Sequence, residues 1–155
     1  MRRAGKWLAV AGVLFAAGAV TAAAPGVLSF PKDYRSWVHA KSMVISDKAH
    51  ALYGFHHVYV SPKHLKTFQS GGQYAEGAEL VVPFYEVDDK AGTISQGALK
   101  MVAVMKKDKS AKATGGWLWG AFDANGKTME MDVKAGCYDC HTAKKDRDFV
   151  FSEWQ

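Results

Sequence analysis

Only two cysteines occur in the chain, Cys137 and Cys140, and that scarcity excludes a good deal. No framework of several disulfides can be drawn, and no second Cys pair exists to complete the common four-ligand pattern of a structural zinc site. Long apolar runs are missing too. The one candidate, "WLAVAGVLFAAGAV" at residues 7–20, is shorter than the roughly 20 residues a bilayer crossing takes. No internal repeat and no low-complexity linker is visible. Nor is charge of one sign gathered in a block: the lysines are scattered through stretches such as "KKDKSAK" and "TAKKDRD", the pattern of a solvated surface. No nucleic-acid partner is implied.

What is present begins with a leader. Met1-Arg2-Arg3-Ala4-Gly5-Lys6 is a basic start, the apolar run follows, and Thr21-Ala22-Ala23-Ala24 supplies small residues for cleavage. Residues 1–23 read as a secretory signal peptide, with a single-span anchor as the competing reading. Arg2-Arg3 lacks the wider surroundings of a twin-arginine signal, so the general export route is expected. Loss of Arg2, Arg3 and Lys6 lowers the formal charge of +5 to about +2. Residues 24–155 are then long enough for one domain with one core. This domain is expected in the periplasm, free of the membrane after cleavage.

Both cysteines stand in "GCYDCHTAKKDRDFVF", three positions apart and followed at once by His141. Four chemistries compete for Cys137-x-x-Cys140-His141. A disulfide closes so small a loop that it constrains the unfolded chain little. Zinc lacks its remaining ligands. A thioredoxin-like dithiol belongs after a strand near the start of a βαβ unit, not in the last twenty or so residues. Haem attachment uses every residue: two thiols so spaced, on a turn entering a helix, add to the two vinyl groups at one porphyrin edge, and the adjacent imidazole serves the iron. The motif predicts one covalently attached haem c per chain, with Cys137 and Cys140 as its anchors and His141 as the axial metal ligand.

The remaining pattern predicts an α+β, predominantly β fold: an antiparallel sheet with a few short helices, the haem-attachment helix coming last. Pro31 to Val38 reads as a short helix begun by proline, and "HHVYV", His56 to Val60, as a strand. Ser61-Pro62 supplies an N-cap and first helical position, with Gly71-Gly72 as the stop. Strands are expected near Glu79 to Val87 and Leu99 to Lys106, on either side of the turn "DDKAG". "GWLWGAF", the turn "DANG" and "KTMEMDV" read as a hairpin, with Met129, Met131 and Val133 alternating against polar residues. Pro83 marks its strand as an edge or a bulge. Trp37, Trp117 and Trp119 are expected in the core.

The blocks "DYRSWVHA", "VYVSP", "GGQYAEGAEL", "MKKD", "GGWLWGAF" and "CYDCH…DFVF", in that order from about Phe30 to Trp154, resemble the cytochrome P-460 and cytochrome c′-beta family. The resemblance implies a β-rich periplasmic haem protein, usually a homodimer, whose iron carries His141 on one face and no protein ligand on the other. In the hydroxylamine-oxidising branch a lysine after the glycine-flanked stretch is joined to the porphyrin and a carboxylate on the next strand assists proton removal. Gapless alignment places Val82 and Ala103 at those positions, and no lysine lies between Glu79 and Val87. The chain is similar instead to the cytochrome c′-beta branch, in which phenylalanines cap the distal side. By that resemblance Phe84 and Phe55 stand over the iron, with Val82 beside them. Strand alternation agrees for Val82 and Phe84, which share a face.

An apolar distal side favours nitric oxide and carbon monoxide, which need no hydrogen-bond donor, over dioxygen. The expected function is a gas-binding protein for nitric oxide scavenging, carriage or sensing, with no catalytic residue and an unknown redox partner. Two alternatives stay open: a hydroxylamine or nitric oxide oxidoreductase of the same family, and a six-coordinate electron-transfer cytochrome. The second would take a sixth ligand from Met43, Met101, Met105, Met129 or Met131, or from His39, His50, His56, His57 or His64. Arg147 is a candidate for the proximal side or the propionates.

Overall fold

A computed structural model describes residues 26–155, and the signal peptide expected over residues 1–23 lies outside them. Six strands form one antiparallel sheet in simple meander order: β1 Val38–Ile45, β2 Gly54–Val60, β3 Glu79–Lys90, β4 Thr93–Lys107, β5 Trp117–Asp123 and β6 Thr128–Met129. The fold is α+β and predominantly β, as expected. Among the described residues no helix is long and apolar enough to cross a membrane.

The strand period of two sorts the sheet into two faces. Val58, Val60, Leu80, Met105, Trp117 and Trp119 join one buried cluster, against which Val82, Cys137 and Tyr138 pack. Val81, Val102, Val104 and Phe122 join another, covered by Tyr34, Phe30 and Trp37 from the N-terminal segment. Both faces are therefore dressed, one by the start of the domain and the other by its end.

Several boundaries differ from expectation. Pro31 to Val38 gives only a 3-10 turn, Tyr34–Ser36, and the chain continues directly into β1. Ser61 does not cap: its hydroxyl is buried without a partner, because the chain enters a 3-10 turn, Pro62–His64, before α1, Leu65–Ser70. That helix stops at Gly71 in the left-handed conformation, φ 68°. The strands β3 and β4 run further than expected, since Ala91 (φ 52°) and Gly92 (φ 75°) reverse the chain in two residues and let Lys90 pair with Thr93. Pro83 lies in an interior strand. The β2 ladder skips the Val82 and Pro83 positions, and the register against β4 shifts just after Phe84. Finally, β6 is two residues long, so Met131 and Val133 leave the sheet rather than continue its alternation.

The last segment is helical in three styles. Asp132 Oδ1 accepts the Lys134 and Ala135 amides and so starts a widened π turn, Lys134–Tyr138, which passes into α2, Asp139–His141, and a 3-10 stretch, Thr142–Arg147. Such π turns are uncommon and cluster at functional sites. Here the turn carries Cys137, and α2 carries Cys140 and His141.

Candidate functional site: an apolar cavity closed by the Cys-x-x-Cys-His segment

Between the sheet and the C-terminal helical segment lies a cavity of about 320 Å³. Its sheet wall is three rows of side chains, each row set by the strand register. Leu80, Met105 and Trp119 form the first, Val82, Ala103 and Ala121 the second, and His56, Phe84 and Met101 the third. At ~3.3 Å per residue, the first and third rows stand about 13 Å apart along the strands. The opposite wall brings Cys137, Cys140 and His141, with Val150 and Phe151 from the tail. Among the described residues no Lys, Arg, Asp or Glu side chain lines this cavity.

His141 belongs to the first row's end of the cavity, its ring 4.6 Å from Trp119 and 5.0 Å from Phe151. Its Nδ1 lies 2.6 Å from the Phe149 carbonyl oxygen. A carbonyl only accepts, so Nδ1 carries the proton and Nε2 keeps its lone pair. Burial holds the imidazole below its usual range, against the opposing pull of that bond, which keeps the ring neutral near pH 7. This is the state a metal ligand requires.

Cys137 and Cys140 are free thiols, the first half-buried and the second exposed. Burial raises the Cys137 pKa, with Cys140 adding to the effect. Among the described residues they form no cluster of three or more metal-binding groups. The donor set therefore suits an iron that brings its own four equatorial nitrogens, and does not suit tetrahedral zinc. Apolar walls, two thiols on one turn and a single neutral imidazole fit a haem.

The structure brings Val82 and Phe84 onto the cavity wall, as the alternation predicts. Val82 stands directly opposite Ala103, so the two positions that the resemblance aligns with the lysine and carboxylate are cross-strand neighbours, and both are apolar. Phe55 is not brought in. It is half-buried, pairs with Tyr85 and lies on the other face of β2, where a one-residue step in a strand must put it. His56 takes the inward place: 3 % exposed, its ring 4.2 Å from Phe84, its Nε2 2.7 Å from the Leu52 carbonyl. That contact assigns the proton to Nε2, and burial, above all, lowers the His56 pKa. His56 near neutral pH is an uncharged ring whose one N–H is already committed.

The sequence offers His56 only as one of five histidines that could supply a sixth ligand, although its spacing of two and four from the inward Val58 and Val60 singles it out as a cavity residue. His50, Leu52, Met43, Met101 and Met105 also reach the wall. His39 and His57 do not, joining Ser42 and Gln96 in an exposed hydrogen-bonded chain on the other face. Arg147 lies off the wall and pairs with Glu153. A second cavity of about 190 Å³ shares Leu52, Phe84 and Met101 with the first, so Phe84 is part of the partition between them.

No curated protein matches the chain significantly. The family model described as Cytochrome P460 matches residues 31–152, which includes all six strands and the whole cavity wall, and on that match the chain belongs to the cytochrome P460 family of haem proteins.

Proposed function

We propose that the chain is an exported, five-coordinate haem c protein that binds small neutral diatomics, nitric oxide and carbon monoxide, for scavenging, carriage or sensing of nitric oxide. Cys137 and Cys140 would carry the thioether links and His141 the iron. The haem would supply an iron with one exchangeable position. The observation that carries the reading is the composition of the second and third rows, Val82, Ala103, Phe84 and Met101, with no charged side chain on the cavity wall among the described residues. His56 does not alter it: its N–H is held by Leu52, which leaves no donor for the partial negative charge of bound dioxygen. Proton removal from hydroxylamine needs a positioned acceptor. Neither a lysine at residue 82 nor a carboxylate at residue 103 is present.

The test is a pair of assays on the purified holoprotein. Ferrous protein is expected to bind nitric oxide and carbon monoxide, while steady-state oxidation of hydroxylamine with an artificial electron acceptor is expected to be absent. Robust turnover would put the oxidoreductase reading first. The six-coordinate reading has one supporting observation, that Met43, Met101, Met105 and His56 share the cavity with His141. It predicts a low-spin iron that binds carbon monoxide only as fast as a side chain leaves.

A further inference from the structure

Behind the axial histidine lies a buried polar cluster that gas binding does not call upon. Asp148 is 3 % exposed. Its carboxylate accepts the Tyr74 backbone amide at 2.8 Å, the Trp117 indole N–H at 3.2 Å and the Lys107 ammonium at 2.5 Å. Lys107 in turn lies over the Trp117 ring, 4.8 Å from its centroid. These donors come from the segment before β3, the end of β4 and the start of β5. A carboxylate gripped from three directions in a buried site has one position.

The backbone it fixes is unusual. Asp148 and Phe149 both adopt positive φ, 51° and 67°, a conformation that side chains other than glycine rarely take. The Phe149 amide donates to the Lys144 carbonyl at 2.8 Å, and the Val150 amide to that of Arg147 at 3.1 Å. Gly115 makes room for the turn, since a Cβ there would stand 2.4 Å from the Phe149 ring. The product of this arrangement is one contact: the Phe149 carbonyl accepting the His141 Nδ1 proton.

We propose that Asp148 is a positioning residue for the axial histidine, pinning the left-handed turn so that the Phe149 carbonyl stays on His141 Nδ1 and sets how strongly Nε2 binds the iron. The inference rests on the reading of His141 as the axial ligand. A hydrogen bond accepted from Nδ1 pushes electron density toward Nε2, fixes the ring's orientation and strengthens the metal bond. It also favours the ferric state, which gains more from a strong donor. Asp148 acts on the iron through one covalent neighbour, Phe149, and one hydrogen bond, touching neither haem nor ligand.

Asp148→Asn removes the ion pair and leaves Lys107 uncompensated, so Lys107→Met and Trp117→Phe, each removing one donor, are studied beside it. Val81→Ala, a truncation in the cluster on the other sheet face, serves as a control for lost stability alone. The readouts are the iron–histidine stretching band in the resonance Raman spectrum of the ferrous, ligand-free holoprotein, and the reduction potential. Expected are a lower stretching frequency in Asp148→Asn, smaller downward shifts in Lys107→Met and Trp117→Phe, a more positive potential in the charge-neutral Trp117→Phe, and no shift in Val81→Ala. Frequencies equal to the wild type in whichever of the three variants fold would overturn the proposal, leaving Asp148 as a staple of the tail. So would an equal shift in Val81→Ala. Absence of an iron–histidine band from the unsubstituted protein would remove the axial reading itself, and this inference with it.

Discussion

In the proposed gas-binding function, Phe84 is the side chain on which ligand access turns. It is 8 % exposed, packs tilted against the His56 ring and helps divide the two cavities. Phe84→Ala is expected to join them, admit water to the iron and speed carbon monoxide association, at a cost of about 3 kcal/mol in stability. Flash photolysis and urea unfolding measure the two effects. His56 gives a pH dependence whose sign is fixed. The folded protein keeps this imidazole neutral, its pKa lowered chiefly by burial, whereas the unfolded chain takes up a proton near pH 6.5. Below about that pH the unfolded state binds more protons, so this contribution to stability is full above it and is lost as the pH falls. Thermal unfolding midpoints should therefore drop between about pH 7 and pH 5, and drop less in His56→Leu. At the anchors, Cys137→Ala with Cys140→Ala should abolish covalent haem. Acid-acetone extraction reads this directly, and extraction of haem from the wild-type protein would contradict the attachment.

At the scale of elements, how much was legible depended on how local the cause is. Cys-x-x-Cys-His is a pattern complete within five residues, so the haem chemistry proposed for it, and with it the haem-protein family, reads directly from the chain. Val82 and Phe84 were legible because a strand repeats every two residues. Phe55 was placed by resemblance alone, and the same period puts it on the opposite face of β2 from its neighbour His56, which faces the cavity. β1 escaped notice because "VHAKSMVI" mixes Lys41 and Ser42 with its apolar residues, as a half-exposed edge strand does. The β3–β4 hairpin looked shorter than it is because its tip, Glu86 to Gln96, is largely exposed and polar, so hydrophobic alternation stops before the pairing does. Its turn supplies a prediction: Ala91 sits at φ 52° in a two-residue turn that favours Asn there. Ala91→Asn should raise stability by about 0.5–1 kcal/mol, measured by urea unfolding. A loss instead would show that the turn is not of this type.

For the whole molecule, the family blocks acquire a physical meaning that no single block contains. Tyr74 comes from "GGQYAEGAEL", Lys107 from "MKKD", Trp117 from "GGWLWGAF" and Asp148 from "DFVF", and the fold brings all four to one point behind His141. Contacts that join residues 74, 107, 117 and 148 depend on the completed sheet, which is why order along the chain showed the resemblance and not its cause. The molecule is thus a β meander with an apolar cavity wall on one sheet face and a rigid, hydrogen-bonded cluster behind His141. Export and pairing into homodimers remain proposals drawn from the leader and the resemblance, and sedimentation of the mature holoprotein is expected to give twice the chain mass. The central claim is an iron with His141 as its sole protein ligand and an open, apolar sixth position, and the electronic spectrum of the resting ferric holoprotein near neutral pH, read by visible absorption with electron paramagnetic resonance, tests it most directly. The account predicts a largely high-spin iron whose ferrous form takes up carbon monoxide without displacing a side chain; a low-spin spectrum that becomes high-spin when Met101, Met105 or His56 is replaced would contradict it.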